Sequence, residues 1–92
     1  MFKINASDKI GVIGLGYVGL PLATEFGKIQ PTVGFDIHSE RISELKNGVD
    51  RTLEVSKAEM SESTHLFYTD KIEDLAGCKV FIVTVPLSLI HI

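Results

Sequence analysis

The sequence has no tryptophan and a single cysteine, Cys78, in 92 residues. A lone cysteine cannot close an internal disulfide, and no Cys/His group has zinc-ligand spacing, which fits a reducing, cytoplasmic setting and predicts no bound metal. Basic residues are not in excess: Lys and Arg number 9 against 12 Asp and Glu, a formal charge of −3. That balance gives no reason to expect nucleic acid or an anionic membrane as partner. No apolar run approaches the roughly 20 residues of a membrane span. The uncharged run 10–23 follows Asp8 and no basic cluster, and its glycines weaken any signal-peptide helix. Repeats, linkers and low-complexity tracts are also missing.

What is present is an alternation of strand and helix patterns. Residues 9–13 (KIGVI) predict a short buried strand ending at Gly14. From Tyr17 to about Lys28, Val18, Leu20, Leu22, Ala23 and Phe26 suit a helix packed on a sheet. Gly27 weakens its end and Pro31 stops it. Residues 32–36 (TVGFD) predict a second strand. A second helix follows, with Ser39 as N-cap, Ile42 and Leu45 on one face, and Asn47-Gly48 as the stop. Ser56 and Glu59 form a capping-box pattern ahead of a short exposed helix. Residues 66–69 (LFYT) predict a third strand, and residues 70–76 a short helix with Ile72 and Leu75 turned inward. Residues 79–85 (KVFIVTV) carry the strongest strand signal, apolar without a break, as expected for a strand covered on both faces. The expected fold class is α/β: a Rossmann-like, doubly wound parallel sheet, incomplete at about four strands in the order 3-2-1-4. Nothing follows to cover the outer edge of the fourth strand, so the chain reads as the N-terminal part of a longer protein.

Gly14-Leu15-Gly16-Tyr17-Val18-Gly19 matches G-x-G-x-x-G. Alone this pattern is weak; its place between a predicted strand and a predicted helix makes it specific. Gly14 permits the turn off the strand, Gly16 lets a pyrophosphate approach the backbone, and Gly19 lets the helix pack close to the strand. Free N–H groups at the helix start then hold phosphates without a lysine. A P-loop is excluded, because Leu20-Pro21 stand where that motif requires Lys and Ser or Thr. Pro21, just past a first turn capped near Gly16, forfeits about one backbone hydrogen bond. Asp36 ends the second predicted strand at the interval expected of a ribose-binding carboxylate, which favours NAD over NADP. Arg41 has two readings: contact with that ribose or the pyrophosphate, or a solvated helix arginine. Thr84 and Pro86 end the fourth strand at the sheet's carboxyl edge, where they would wall the cofactor. The other candidates have plainer readings. Cys78 is a structural residue, His38, His65 and His91 are isolated surface positions, and Glu54, Glu59 and Glu62 form a solvated face.

The stretches IGVIGLGYVGLPLA, VGFDIHSERISELKNGVD and CKVFIVTVP together resemble the N-terminal NAD-binding domain of the UDP-glucose/GDP-mannose dehydrogenase family, over roughly residues 8 to 86. NGVDRTLEV is more like the branch acting on UDP-N-acetylhexosamines, the Vi-polysaccharide type; UDP-glucose dehydrogenases typically carry Glu-Pro-Gly there. The resemblance implies a two-step, NAD-dependent oxidation of a sugar C6 alcohol to a carboxylate for polysaccharide precursor synthesis. The aldehyde is held as a thiohemiacetal on a cysteine. That cysteine, a lysine and most of the UDP-sugar site belong to later domains, and Cys78 does not match the nucleophile's position. It also implies a homodimer at full length. Carried over by position, Gly14, Gly16, Tyr17, Val18 and Gly19 meet the pyrophosphate, and Asp36 and Arg41 the adenosine ribose; no catalytic residue carries over. After TVP the family normally has a threonine that touches the cofactor, where this chain has Leu87. Residues 87–92 read as an atypical tail, a truncation artefact. Two other classes share the same loop and acid: a non-catalytic NAD-binding regulatory module, and an NAD-dependent dehydrogenase of another substrate class. On either reading, the chain by itself is expected to be inactive.

Overall fold

The computed structural model describes residues 7–52 and 54–84. Four short strands, β1 (Ile10–Ile13), β2 (Thr32–Phe35), β3 (Leu66–Thr69) and β4 (Val80–Val83), form one parallel sheet in the order β3-β2-β1-β4. This is the order expected from the sequence. Each crossover carries helical structure: α1 (Gly19–Gly27) after β1, α2 (Ser39–Lys46) and α3 (Lys57–Glu62) after β2, and a 3-10 turn (Ile72–Leu75) after β3. Ile13 is level with Phe35 on one side and Val83 on the other, so β1, β2 and β4 end side by side at the carboxyl edge.

The two sheet faces are covered unequally. Ile10 and Val12 of the central strand pack with Leu20 and Ala23 of α1, Ile42 and Leu45 of α2, and Met60 of α3. Each fully buried aliphatic side chain there contributes about 1.5–3 kcal/mol. On the opposite face, Val33 and Phe35 pack with Leu75 of the 3-10 turn, alongside Ile13 and Cys78.

Several sequence expectations differ from the structure; Val18 and Leu22, expected on the packed face of the first helix, are 61% and 37% exposed. Ile72 was expected to turn inward but is 68% exposed, whereas Leu75 is buried. The turn starts beyond the edge strand β3, and its last residue is the one that reaches the sheet. β4 was expected to be covered on both faces. Val80 and Ile82 pack against the helix-side core, but Phe81 and Val83 are 51% and 60% exposed. Neither side chain belongs to the Val33, Phe35 and Leu75 cluster on the opposite face. Ser39 is the first residue of α2 rather than its N-cap, which is His38 in an extended conformation. The Asp36 carboxylate accepts the His38 N–H at 3.0 Å and holds the chain extended up to that point.

The capping box of α3 forms as expected: Ser56 Oγ accepts the Glu59 N–H at 3.1 Å, and Glu59 Oε1 accepts the Ser56 N–H at 3.3 Å. Pro21 forfeits one bond as expected, but the cap expected near Gly16 is Val18, so Pro21 lies within the first turn of α1. Leu20 N–H donates to Gly16 O at 3.2 Å and Leu22 N–H to Val18 O at 3.4 Å. The intervening bond, to Tyr17 O, is the one that proline cannot make. Regular helix therefore begins at Gly19, two residues later than the periodicity suggests.

At its far end α1 touches β3 without a side chain between them. A Cβ on Gly27 would stand 2.6 Å from Leu66 Cβ and 3.3 Å from Leu66 Cα. Gly27→Ala must therefore push α1 off β3. A loss of about 1–3 kcal/mol is expected, read from urea unfolding midpoints, despite alanine's better helix propensity.

Candidate functional site

The carboxyl ends of β1, β2 and β4 open into a cleft lined by the glycine loop, Asp36, Arg41 and Thr84 among others. Ligands of doubly wound sheets lie at such an edge. Gly14 leaves β1 with φ of 98°, a conformation that L side chains rarely adopt. A Cβ on Gly19 would overlap the Gly14 carbonyl oxygen and Thr84 Oγ1, so the start of α1 rests directly on the end of the strand. Gly16 is the reverse case: a Cβ there meets nothing within 4 Å. The turn at Gly14 and the close packing at Gly19 are thus present, and Gly16 borders open space.

The loop's shape is set by side chains that reach it from three other segments. Leu15, the residue between the first two glycines, is fully buried and lies against Gly34 of β2. Its N–H donates to Asp36 Oδ2 at 3.0 Å. The carbonyl at the other end of that peptide, Gly14 O, accepts the Thr84 hydroxyl at 2.7 Å. The next carbonyl, Leu15 O, accepts Arg41 Nε at 2.8 Å and Nη2 at 2.6 Å. Two successive peptide planes are thereby pinned. Because a trans peptide points its C=O and N–H in opposite directions, holding Leu15 O on Arg41 turns the Gly16 N–H away from it. Among the described residues the N–H groups of Gly16, Tyr17 and Val18 make no hydrogen bond. All three residues are exposed and line the cleft.

Asp36 is the hub of this arrangement. Burial opposes its ionisation. Hydrogen bonds from the Leu15 and His38 N–H groups and from the His38 ring outweigh that and hold its carboxyl below the usual carboxylate range. His38 Nδ1 lies 2.7 Å from Asp36 Oδ1. His38 is exposed, as the sequence suggested, but it is not isolated. His65 is exposed too, and His91 and Pro86 lie outside the described residues. Cys78 is half-buried beneath the sheet; burial pushes its thiol up, and it takes no part in the cleft. Glu54, Glu59 and Glu62 are exposed.

Arg41 fits neither sequence reading alone. Its side chain is 12% exposed, and its Nη1 lies 2.9 Å from Oδ1 of Asp50, whose side chain is 1% exposed. Asp50 was missed by the sequence analysis. It accepts hydrogen bonds from the Thr52 N–H and hydroxyl and from the Glu54 and Val55 N–H groups, at 2.7–3.0 Å. The one available signal was Asp-x-Thr after a helix stop, the pattern of an acid that hydrogen-bonds its own following backbone. Arg51, also missed, lines the cleft and pairs with Glu44.

The cleft has free amides on one side and the Asp36 carboxylate on the other. Residues 8–88 match the UDP-glucose/GDP-mannose dehydrogenase family, NAD binding domain. The chain belongs to this family. It is 59% identical over 81 residues to the UDP-N-acetyl-D-glucosamine 6-dehydrogenase of Pseudomonas aeruginosa, which covers 88% of this chain and 19% of the relative. The enzyme of the same name from Salmonella typhi is 55% identical over 97% of the chain and 21% of the relative. Among solved structures, a UDP-D-ManNAc dehydrogenase from Pyrococcus horikoshii superposes with a TM-score of 0.78 at 40% identity, over 84% of this chain and 20% of that one. The chain thus spans about a fifth of the length of these relatives. Among the described residues no helix is long and apolar enough to cross a membrane, and no group of acidic, His and Cys side chains could hold a metal ion.

Burial also opposes ionisation of Asp50, but hydrogen bonds from the Thr52 side chain and the Val55 and Thr52 N–H groups, together with the Arg41 guanidinium, bring its pKa down to about 2. A carboxyl depressed in the folded state stabilises the fold above its unfolded pKa of about 3.9 and loses that contribution as pH falls through its folded value. Thermal stability is therefore expected to fall between about pH 4 and pH 2. In carbon-detected NMR titration the Asp50 carboxyl should have its midpoint near the bottom of that window. A midpoint at the unperturbed aspartate value would contradict the buried ion pair.

Proposed function

We propose that this chain is the NAD-binding part of an NAD-dependent UDP-N-acetylhexosamine 6-dehydrogenase, a cytoplasmic enzyme of polysaccharide precursor synthesis. The observation that carries the reading is the free N–H groups of Gly16, Tyr17 and Val18 facing a cleft whose other wall holds Asp36. The substrate class is supported by the names of the relatives from Pseudomonas aeruginosa and Salmonella typhi. Bound NAD supplies the hydride acceptor. Everything that this chain does is binding and orientation, and the oxidation of the sugar is assigned to the rest of a longer, dimeric enzyme.

In this reading the pyrophosphate sits on the amides of residues 16–18, near the positive end of α1. Gly14 and Gly19 shape the loop and let helix and strand meet. Thr84 holds the loop from the β4 side, and Pro86 continues that wall. Arg41 lies beside the ribose but acts mainly through Leu15 O. Asp36 receives the ribose hydroxyls. An ionised carboxylate offers about four acceptor positions. Leu15 occupies one on Oδ2, while the His38 N–H and ring occupy Oδ1. Asp36 would hold a ribose diol through both oxygens only if the exposed His38 ring gave up its place on Oδ1.

NAD titrated into the isotope-labelled chain is expected to shift the amide resonances of Gly16, Tyr17 and Val18, with affinity in the micromolar range or weaker. Asp36→Asn should weaken binding about tenfold, the worth of a charge-assisted hydrogen bond. His38→Ala should leave binding equal or tighter. Unshifted amides at residues 16–18 would refute the site. Turnover of a UDP-N-acetylhexosamine by this chain alone would refute the assignment of the chemistry elsewhere.

A further inference from the structure

The cleft holds two arginines, and both are already matched to carboxylates. Arg51 pairs with Glu44 inside the cleft. Arg41 pairs with Asp50, which does not line the cleft at all but sits behind it. Asp50 cannot follow Arg41 if the arginine moves, because its two oxygens are tied to the backbone of Thr52, Glu54 and Val55 and to the Thr52 hydroxyl. The carboxylate of Asp36 is left facing the ribose position, with Glu40 also on the cleft wall.

Dinucleotide sites that accept a 2′-phosphate do so with an arginine free to meet it. Here the arginine closest in chain to Asp36 spends Nε and Nη2 on Leu15 O, and its Nη1, which makes no hydrogen bond, is held 2.9 Å from Asp50 Oδ1 as an ion pair. We propose that Asp50 is a specificity-determining positioning residue. By fixing and neutralising Arg41 from behind the cleft, it makes the site reject 2′-phosphorylated dinucleotides, while Arg41 keeps the glycine loop in place. The inference rests on the NAD reading above. Discrimination is then divided between two acids: Asp36, which meets the ribose, and Asp50, which never touches it. Loss of the Asp50 charge would leave a guanidinium uncompensated beside the ribose site, and a 2′-phosphate is the anion that would compensate it.

The test is calorimetric titration of NAD and NADP into the wild-type chain, Asp50→Asn, and the uncharged double variant Asp50→Asn/Arg41→Gln, with circular dichroism to verify folding. Replacing both members of a buried ion pair is better tolerated than removing one. The expected result is an NADP-to-NAD affinity ratio about tenfold higher in Asp50→Asn, returning to or below the wild-type value in the double variant. A purely structural role would weaken both cofactors alike, and an unchanged ratio in folded Asp50→Asn overturns the proposal. If Asp50→Asn does not fold, Asp50→Ser, which removes the charge and keeps Arg41, is titrated in its place: a raised ratio supports the proposal, and an unchanged ratio overturns it. Wild-type chain that binds neither cofactor would remove the NAD reading itself, an outcome distinct from a wild type that binds NAD and variants that show no change in ratio.

Discussion

The nucleotide cleft depends on the fixing of the Leu15 backbone. Its N–H is held by Asp36 and its carbonyl by Arg41, while the preceding carbonyl is held by Thr84. These partners come from the end of β2, from α2 and from the residue after β4, separations of 21, 26 and 70 residues from the atoms that they hold. The loop therefore has no defined shape until the sheet is assembled. The strand order brings β1, β2 and β4 side by side, their last residues are level, and each neighbour contributes one anchor. A glycine-rich segment has high conformational entropy when free. Here that cost is met by long-range hydrogen bonds, so the free amides of residues 16–18 are oriented before any ligand arrives.

The anchors also explain why Asp36 and Arg41 resist description as ligand contacts alone. Each is a structural element of the loop that it would flank. Asp36 stays ionised because it accepts hydrogen bonds from Leu15 and His38. Arg41 is tolerable in a nearly closed environment because Asp50 neutralises it and Leu15 O accepts its Nε and Nη2, while the buried Nη1 makes the ion pair without a hydrogen bond. Changing either residue alters both the geometry of the glycine loop and the charge on the cleft wall. A loss of affinity in such a variant does not by itself identify which was lost. The ratio between two cofactors that differ only by a 2′-phosphate separates the two effects.

Most of the fold was legible because it is written in local periodicity. The third strand was read at its observed bounds and the capping box of α3 formed as read, since both depend on neighbouring residues. The sheet order followed from crossover handedness applied to the predicted strands. The glycine loop and Asp36 were legible because their spacing is imposed by the strand–loop–helix geometry itself. What was not legible depends on partners far away in sequence. Ile72 and Leu75 have the same helical spacing, yet the sheet's extent decides that one is covered and the other is not. Phe81 and Val83 read as buried because composition cannot say whether a second layer lies over them. Asp50 looked like a loop residue, because nothing local says that Arg41, nine positions earlier, would turn back on it.

Leu15 shows the same limit from the opposite side. In a G-x-G motif the x position is treated as free, because the phosphate is held by backbone and not by side chain. In this chain the Leu15 side chain is buried against Gly34, and its peptide groups carry the Asp36 and Arg41 contacts. A small or polar residue at that position would preserve the motif and remove the packing that seats the loop on β2. The physical requirement is an apolar side chain between the glycines and a residue without Cβ opposite it in the neighbouring strand. The motif is thus a paired constraint on two segments, one in the loop and one two residues before Asp36. The second half of that constraint is what seats this glycine loop on β2.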